Sequence, residues 1–428
     1  MYMGYGDGSA LMRTSNFREA SGADTTENRK IRTILHCDAN SFFASCETAI
    51  RPEYASVPMA VCGSVEERHG IVLARNELAK KYGVTTAEPV WQAKQKCPSL
   101  VTVRPTYGLY SEMSEKMNKI FYDYTDRVEP FGIDESWLDV SGSFKLFGSG
   151  KSIADSIRKR IKEELNITVS VGVSFNKVFA KLGSDMKKPD ATTVIPCERF
   201  VPIVWPLPVS DLLFVGSSTK RSLNRIGVYT IGDLACCDEK VIRNNLGKNG
   251  ILLREFARGN DRSEVTVSGY EPTPKSVSNG MTFRENLKTG EDISFAVTYL
   301  SMSVAERLRR HKLCCNNISV TVRLPDLTSF SHSAPLSHPT CLYSEISKAA
   351  LSLVYAKKAF WEEIYSVTVH AEKLTVEGDF GYQQKLFPEP WEQKYAKSHS
   401  LEAAVDSIRE RFGRSAVKIA SAIDNRLV

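Results

Sequence analysis

An Asp-Glu dipeptide set between two short apolar runs constrains this chain more than any other stretch. In Phe131-Gly132-Ile133-Asp134-Glu135-Ser136-Trp137-Leu138-Asp139-Val140 the flanking runs read as the strands of a β-hairpin with both carboxylates at its tip. Acidic residues are ordinary turn formers, so the pair alone reads first as a solvated turn. A third carboxylate upstream changes that reading. Ile34-Leu35-His36-Cys37-Asp38 has the pattern of a buried strand ending in Asp38, followed by an Asn40-Ser41 helix start and a helix over 42–49. If hairpin and strand are neighbours in one sheet, Asp38, Asp134 and Glu135 converge. Three carboxylates that close repel unless cations lie between them, and hard oxygen donors suit Mg²⁺ beside substrate phosphates.

The neighbouring elements support this convergence. Residues 107–124 space Tyr110, Met113, Met117, Ile120, Phe121 and Tyr124 along one helical face, a core stripe. A strand over 127–133, its partner over 136–140, a basic helix over 149–165 and a strand over 167–173 follow. With the first strand the order is βαββαβ, a ferredoxin-like sheet whose central pair is the first strand and the hairpin strand carrying Asp134. That topology hosts many functions, so chemistry has to be argued from the site. Gly148-Ser149-Gly150-Lys151-Ser152 ends like a phosphate-binding loop, but the motif needs glycine at position 145, which is Lys, and a helix start is the better reading.

Four stretches in order then carry a family resemblance. They are Cys37-Asp38-Ala39-Asn40-Ser41-Phe42-Phe43-Ala44-Ser45-Cys46-Glu47, Ala74-Arg75-Asn76-Glu77-Leu78-Ala79-Lys80-Lys81-Tyr82-Gly83-Val84, Gly132-Ile133-Asp134-Glu135, and Val169-Ser170-Val171-Gly172-Val173-Ser174-Phe175-Asn176-Lys177-Val178-Phe179-Ala180-Lys181 continuing to Ser184-Asp185-Met186-Lys187-Lys188-Pro189. Together they resemble the Y-family of translesion DNA polymerases over roughly residues 31–390. The Ala-Arg-Asn-x-x-Ala-Lys motif is more similar to the polymerase V catalytic subunit than to polymerase IV, which usually carries Tyr and Arg there. The resemblance implies an α+β, multidomain right-hand polymerase. It divides the chain into a flexible lead (1–30), a palm (31–49 and 107–196), inserted fingers (50–106), a helical thumb (197–262), a linker (263–275), a little finger (276–375) and a tail (376–428). The implied activity is template-directed, low-fidelity addition of dNTPs past lesions, in DNA repair and the SOS response, and the absence of an exonuclease carboxylate set implies no proofreading.

The resemblance also assigns residues. Two Mg²⁺ ions are expected on Asp38, Asp134, Glu135 and the backbone carbonyl of Ala39, with Lys188 on the triphosphate, Arg75 and Lys80 approaching from the fingers, and Lys181 structural. Phe43 stands at the steric gate, where a flat ring leaves no room for a ribose 2′-hydroxyl; a buried helix phenylalanine is the alternative. Ser41 and Glu77 occupy places where relatives often have tyrosines, a departure that bears on nucleotide affinity. In the fingers, strands are expected over 57–61 and 70–74 and a helix over 76–82.

Val215-Gly216-Ser217-Ser218-Thr219, followed by Leu223, Ile226-Gly227 and Ile231-Gly232, resembles a helix-hairpin-helix, whose turn amides grip a DNA phosphate. Gly216, Ser217 and Thr219 are its contact candidates, Ser217 or Ser218 replaces the usual second turn glycine, and Leu246-Gly247-Lys248-Asn249-Gly250 is a looser copy. A plain helical hairpin is the alternative. Residues 261–274, with Pro272 and Pro274, read as a linker. Strands over 277–283, 318–324 and 364–371 and helices over 293–311 and 343–356 make a second small domain. Lys275, Arg284 and Arg323 are its candidate DNA-phosphate contacts. Gln383-Gln384-Lys385-Leu386-Phe387 matches the Gln-x-x-Leu-Phe pattern for docking on a bacterial sliding clamp, with Gln383, Leu386 and Phe387 as anchors. A helix over 401–412 has no assigned role.

Composition narrows the remaining choices. With 428 residues, 42% hydrophobic and 25% charged, the chain has the make-up of a soluble protein of two to four domains. A net charge of +6 is compatible with a nucleic-acid partner. The ten cysteines include the adjacent pairs Cys236-Cys237 and Cys314-Cys315 but no Cys-x-x-Cys, so neither a zinc site nor a disulfide framework is expected and the cytoplasm is the default compartment. No signal peptide is expected, and no run approaches the ~20 apolar residues of a membrane span. The expected partners are primer-template DNA, dNTP, the sliding clamp and accessory mutagenesis subunits. Two competing readings remain: a clamp-docked DNA scaffold without turnover, and a palm-fold nucleotidyl cyclase, which would not need the helical Gly-turn region.

Overall fold

The computed structural model describes residues 32–64, 70–270, 273–356, 363–378 and 390–418, together with 420 and 427. Two compact units divide the chain, one of Met1–Cys62 and Ile71–Tyr270, the other of Gly63–Gly70 and Glu271–Val428.

In the first unit, β1 (Ile34–Ala39) is buried along its whole length because both of its faces are covered. The short strands β2 (Met59–Cys62), β3 (Val72–Arg75) and β4 (Val101–Val103) form a separate sheet in the order β3-β2-β4. The chain then returns with β5 (Val128–Pro130), β6 (Glu135–Asp139), β7 (Val169–Ser174) and β8 (Thr192–Ile195), giving a sheet ordered β5-β6-β1-β7-β8. β1 runs antiparallel to both β6 and β7. This is the ferredoxin-like topology with one further strand, β8, added parallel to β7 after the helix Lys177–Met186. Leu35, Cys37 and Ala39 point into a core built with the predicted stripe Tyr110, Met113, Met117, Ile120, Phe121 and Tyr124 and with Ile153, Ile157 and Ile161 of the helix Gly150–Leu165. On the opposite face Ile34 meets Trp137, Ala180 and Val265.

Several local expectations change. The hairpin strands are shorter than 127–133 and 136–140. The β5 strand stops at Pro130, which has no N–H to continue the ladder, and Phe131 and Gly132 both donate to the Glu135 carbonyl. Only Asp134 is therefore in the turn, while Glu135 opens β6. Asn40 does not cap the following helix: its side chain donates to Ser170 Oγ (2.9 Å) and accepts from Thr168 Oγ1 (3.0 Å) and the Asp190 amide (2.9 Å), tying the end of β1 to its neighbours. Ser149 caps the helix Gly150–Leu165 by accepting from the Ser152 amide, the helix start read from the sequence. The first part of the expected linker packs down instead of spanning. Val265 is buried, the Thr266 amide donates to Glu129 (3.0 Å) and Asp261 accepts from the Lys177 amide (3.1 Å).

The helices Phe200–Val204, Ser217–Arg225, Ile231–Cys236 and Glu239–Ala257 share one core. The last is interrupted at Gly247 (φ 60°), within the looser hairpin copy. In the first copy Phe214 (φ 69°) and Gly227 (φ 79°) are left-handed, while Ser217 and Ser218 lie inside the helix. The residue without glycine's freedom is thus Phe214, three to four positions before the expected one.

The second unit is a four-stranded antiparallel sheet of β9 (Ser276–Leu287), β10 (Leu313–Arg323), β11 (Ser329–Thr340) and β12 (Ile364–Val376), ordered β11-β10-β12-β9. The helices Gly290–Arg310 and Tyr343–Tyr355 contribute to its core. Sequence reading missed β11, an edge strand rich in Ser and His and carrying Pro335. Its signal is the alternation of half-buried Phe330, His332, Ala334 and Leu336 with exposed neighbours. The helix expected over 401–412 begins at Pro390.

One close approach sets the layering of the first unit. A Cβ on Gly172 of β7 would lie 1.9 Å from the Ala180 carbonyl oxygen and 2.5 Å from the Ser184 amide, so the helix Lys177–Met186 can lie on this strand only because the side chain is absent. Gly172→Ala is expected to lower unfolding free energy by about 3 kcal/mol in urea denaturation. Gly142→Ala, whose Cβ would enter open space, should stay within about 0.5 kcal/mol of wild type.

Candidate active site

Strand register does the first part of the assembly. Asp38 is the direct partner of Glu135, and His36, two residues earlier on the same face of β1, is the partner of Trp137. The helix Lys177–Met186 supplies the countercharge. Lys181 Nζ donates to Asp38 Oδ2 and to Glu135 Oε2, both at 2.7 Å, and lies 3.3 Å from Asp185. Lys188 Nζ donates to Asp38 Oδ1 at 2.8 Å and to Asp185 at 2.9 Å. Burial alone would lower both lysine pKa values, but the Asp38 charge holds them above the ordinary range. Burial would raise Glu135, yet the nearby His36 and the hydrogen-bonded Lys181 ammonium bring it down to about 2. Asp134 carries the opposite shift: burial, then the charges of Asp38 and Glu135, push it up to about 6.

Beneath the carboxylates lies His36, fully buried, with Nδ1 2.9 Å from Ser184 Oγ and Nε2 3.4 Å from Glu135 Oε2. Burial keeps its pKa low. Ligand atoms of His36, Asp38 and Glu135 lie within 4.8 Å of one another. This donor set, dominated by carboxylate oxygens and with Asp134 raised by burial and its acidic neighbours, fits a hard divalent cation.

Asp38, Ala39, Asp134 and Lys188 line a cavity of about 390 Å³ together with Phe43, Arg75 and Lys80. Sequence positions up to 150 apart thereby share one space. The Phe43 ring is held flat against Tyr110, with centroids 4.2 Å apart and planes at 11°. Tyr110 is fixed in turn, its hydroxyl donating to buried Glu47 (2.7 Å) and accepting from the Thr106 amide (3.0 Å). Arg75 Nη1 donates to Thr86 Oγ1 (2.6 Å), and its Nε is buried without a hydrogen-bond partner. Lys80 donates to Glu77 at 2.5 Å, and Ser41 Oγ is 3.4 Å from the same carboxylate, so the two departures from the family pattern face each other.

Sequence reading missed three participants. His36 has a usable signal, its i, i+2 spacing to Asp38 on a strand. Lys181, expected to be structural, bridges two of the three predicted carboxylates. Tyr110 reads as core, which it is, yet its ring face also seats Phe43. The remaining predicted residues lie elsewhere. Gly216 is the exposed N-cap of the helix Ser217–Arg225, with Ser217 exposed and Thr219 half-buried. In the second unit, exposed Arg284 and Arg323 lie on the sheet face opposite buried Phe283 and Val322, with Lys275 exposed just before β9. Gln383, Leu386 and Phe387 fall outside the described residues.

Comparison with known proteins bears on this arrangement. Residues 37–185 match the model of the impB/mucB/samB family and residues 274–386 the model of its C-terminal domain. The chain is 47% identical over 387 residues to DNA polymerase IV of Acetivibrio thermocellus, covering 90% of this chain and 96% of that protein. It is 35% identical over 397 residues to DNA polymerase IV 2 of Bacillus subtilis, covering 91% and 94%. A solved Y-family DNA polymerase chimera of Dbh and Dpo4 superposes with a TM-score of 0.71 at 23% identity, covering 81% of this chain and all of that one. The chain belongs to the Y-family of DNA polymerases. Its fold is accordingly that of a right-hand polymerase, the five-stranded sheet being the palm. The expected polymerase V branch finds no support, since the relatives carry the name DNA polymerase IV. The finger motif misled because its Asn76 serves the local fold, capping the helix Glu77–Lys81 and donating to the Tyr54 and Val57 carbonyls.

The raised Asp134 in this Y-family palm has a measurable consequence. An unfolded Asp134 ionises near 3.8 and the folded one near 6, so ionising it costs native stability as pH rises between those values, and below them the cost vanishes. Without divalent cations, Asp134→Asn should therefore be more stable than wild type at pH 8, by about 1–2 kcal/mol after solvent screening, and equal to it near pH 4. Urea unfolding at the two pH values measures the difference; an equal effect at both would show that the Asp134 charge is not strained.

Proposed function

We propose that this DNA-directed DNA polymerase adds dNTPs to a primer 3′-hydroxyl past template lesions, with low fidelity and without proofreading, as a bacterial polymerase of the polymerase IV kind. The observation that carries the reading is the shared cavity, in which Asp38 and Asp134 meet Phe43, Arg75, Lys80 and Lys188. Asp38, Asp134, Glu135 and the Ala39 carbonyl would hold two Mg²⁺ ions. When bound, these supply Lewis-acid activation of the 3′-hydroxyl and neutralise charge on the triphosphate.

The protein's own residues do the positioning. Lys188, whose ammonium rests on Asp38 and Asp185, stands where a triphosphate would compete for it, and Arg75 and Lys80 offer further cationic donors. Phe43, backed by Tyr110, presents a flat ring that excludes a 2′-hydroxyl. Lys181 sets the spacing of Asp38 and Glu135 by bridging them. In this reading Gly216, Ser217 and Thr219 of a thumb over 197–262 grip the duplex backbone. Lys275, Arg284 and Arg323 of a little finger over 276–375 do the same without reading sequence. The palm spans 31–49 and 107–196 and the fingers 50–106. Gln383, Leu386 and Phe387 dock the sliding clamp, and the enzyme works in the cytoplasm, with accessory mutagenesis subunits as further partners. Among the described residues, no helix is long and apolar enough to cross a membrane.

Single-nucleotide extension of a primer-template with Mg²⁺ tests the site. Asp134→Asn should lose at least ~10²-fold in rate while still retaining DNA. Wild-type DNA binding without any extension would instead favour the scaffold reading. Phe43→Ala should raise rNTP use relative to dNTP by about 10²-fold, with dNTP extension persisting. Unchanged sugar selection would remove Phe43 from the gate.

A further inference from the structure

No cysteine spacing in the sequence marks a zinc site, yet the second unit folds two distant cysteines together. Cys315 of β10 is the register partner of Thr340 at the end of β11, so Cys314 and Cys341 come next to each other one step further along. Both are fully buried. Their sulfurs also lie 3.7 and 3.4 Å from the Tyr395 hydroxyl. Glu377 immediately follows β12, whose Thr375 is the partner of Cys314. His399 lies one helical turn beyond Tyr395 on the helix Pro390–Phe412, the two rings stacked 6.1 Å apart.

Ligand atoms of Cys341, Glu377 and His399 lie within 4.8 Å of one another. His399 Nε2 is 2.9 Å from a Glu377 oxygen, but it is buried and makes no hydrogen bond of proper geometry. An imidazole nitrogen held against a carboxylate without an aligned hydrogen bond, next to a buried thiol, is an arrangement suited to coordination. Thiolate, imidazole and carboxylate together are the donors of tetrahedral zinc, and the sulfur disfavours Mg²⁺.

We propose that Cys341, Glu377 and His399 form a Zn²⁺ site in the second unit, distinct from the palm carboxylates, with water completing the tetrahedron and Cys314 beside it. On binding, the Cys341 thiol becomes a thiolate and its proton leaves to solvent. The Tyr395 hydroxyl remains as a hydrogen-bond donor to sulfur, the outer contact that orients such ligands. The ion adds to a docking the helix already has, since Arg309 pairs with Glu402 and, at 2.7 Å, with Asp406. Glu377 and His399 also lie on either side of Gln383–Phe387 in the sequence, so one ion ties both ends of the segment carrying that motif.

The test uses the full chain, expressed without a histidine tag and purified under reducing conditions, with readouts independent of polymerase activity. Elemental analysis should find about one zinc per chain, and replacement by Co²⁺ should give the sulfur-to-cobalt charge-transfer band and the visible bands of a tetrahedral site. Cys341→Ser and His399→Ala should reduce zinc to below about 0.2 per chain. Should those variants fail to fold, the Co²⁺ spectrum of the wild type decides by itself. Wild type that holds less than about 0.1 zinc after Zn²⁺ supplementation and gives no tetrahedral Co²⁺ bands overturns the proposal. So does a Cys314–Cys341 disulfide, seen as a loss of two hydrogens in the intact mass of protein purified without reductant.

Discussion

The structure of the first unit depends on one electrostatic problem, the placement of Asp38 directly across a strand pair from Glu135, with Asp134 one residue away. Two carboxylates about 5 Å apart repel by roughly 3 kcal/mol even at an effective dielectric near 20. Lys181 and Lys188 offset that repulsion, and they arrive on one helix and the turn after it. That helix reaches the sheet only over Gly172, where a side chain would collide with its backbone. Charge at the site and packing behind it are therefore one constraint. The glycine admits the helix, the helix delivers the lysines, and the lysines let the carboxylates stay together.

The other side of the cavity is organised by packing. Phe43 does not stand alone on its helix: Tyr110 lies flat beneath it, and Tyr110 is held by Glu47 and the Thr106 amide. A ring fixed by a second ring has little freedom to yield to an extra hydroxyl, which suits the exclusion proposed for Phe43. The flexible side chains of the cavity, Arg75, Lys80 and Lys188, are the cationic ones. Thr86, Glu77 and Asp38 hold them through hydrogen bonds.

The second unit is held together differently. Its sheet keeps one face for the core and leaves the other with Arg284 and Arg323, while its C-terminal helix is anchored by Arg309 through Glu402 and Asp406. The same helix brings His399 to Glu377 and Cys341, with Cys314 adjacent by strand register. Four elements far apart in the chain meet there, which is why a search for short ligand spacings does not find the cluster.

What the sequence determined by itself was local and periodic. The adjacent carboxylates, the buried strand ending in Asp38, the stripe on the helix Tyr107–Tyr122 and the order βαββαβ were all legible, because strand and helix periods depend on neighbours a few residues away. So was the family, since its motifs are contiguous. Tertiary structure alone decided what depends on register and approach. It placed Asp38 opposite Glu135, moved Asn40 from a cap to a tie between strands, and folded the supposed linker onto Glu129. It also turned Lys181 from a structural lysine into a bridge, gave the left-handed turn to Phe214, and built β11 from a stretch too polar to announce itself. These outcomes rest on hydrogen bonds and charges between residues up to 150 positions apart. No pattern within a short window encodes such a contact; it exists only once the backbone brings its partners together.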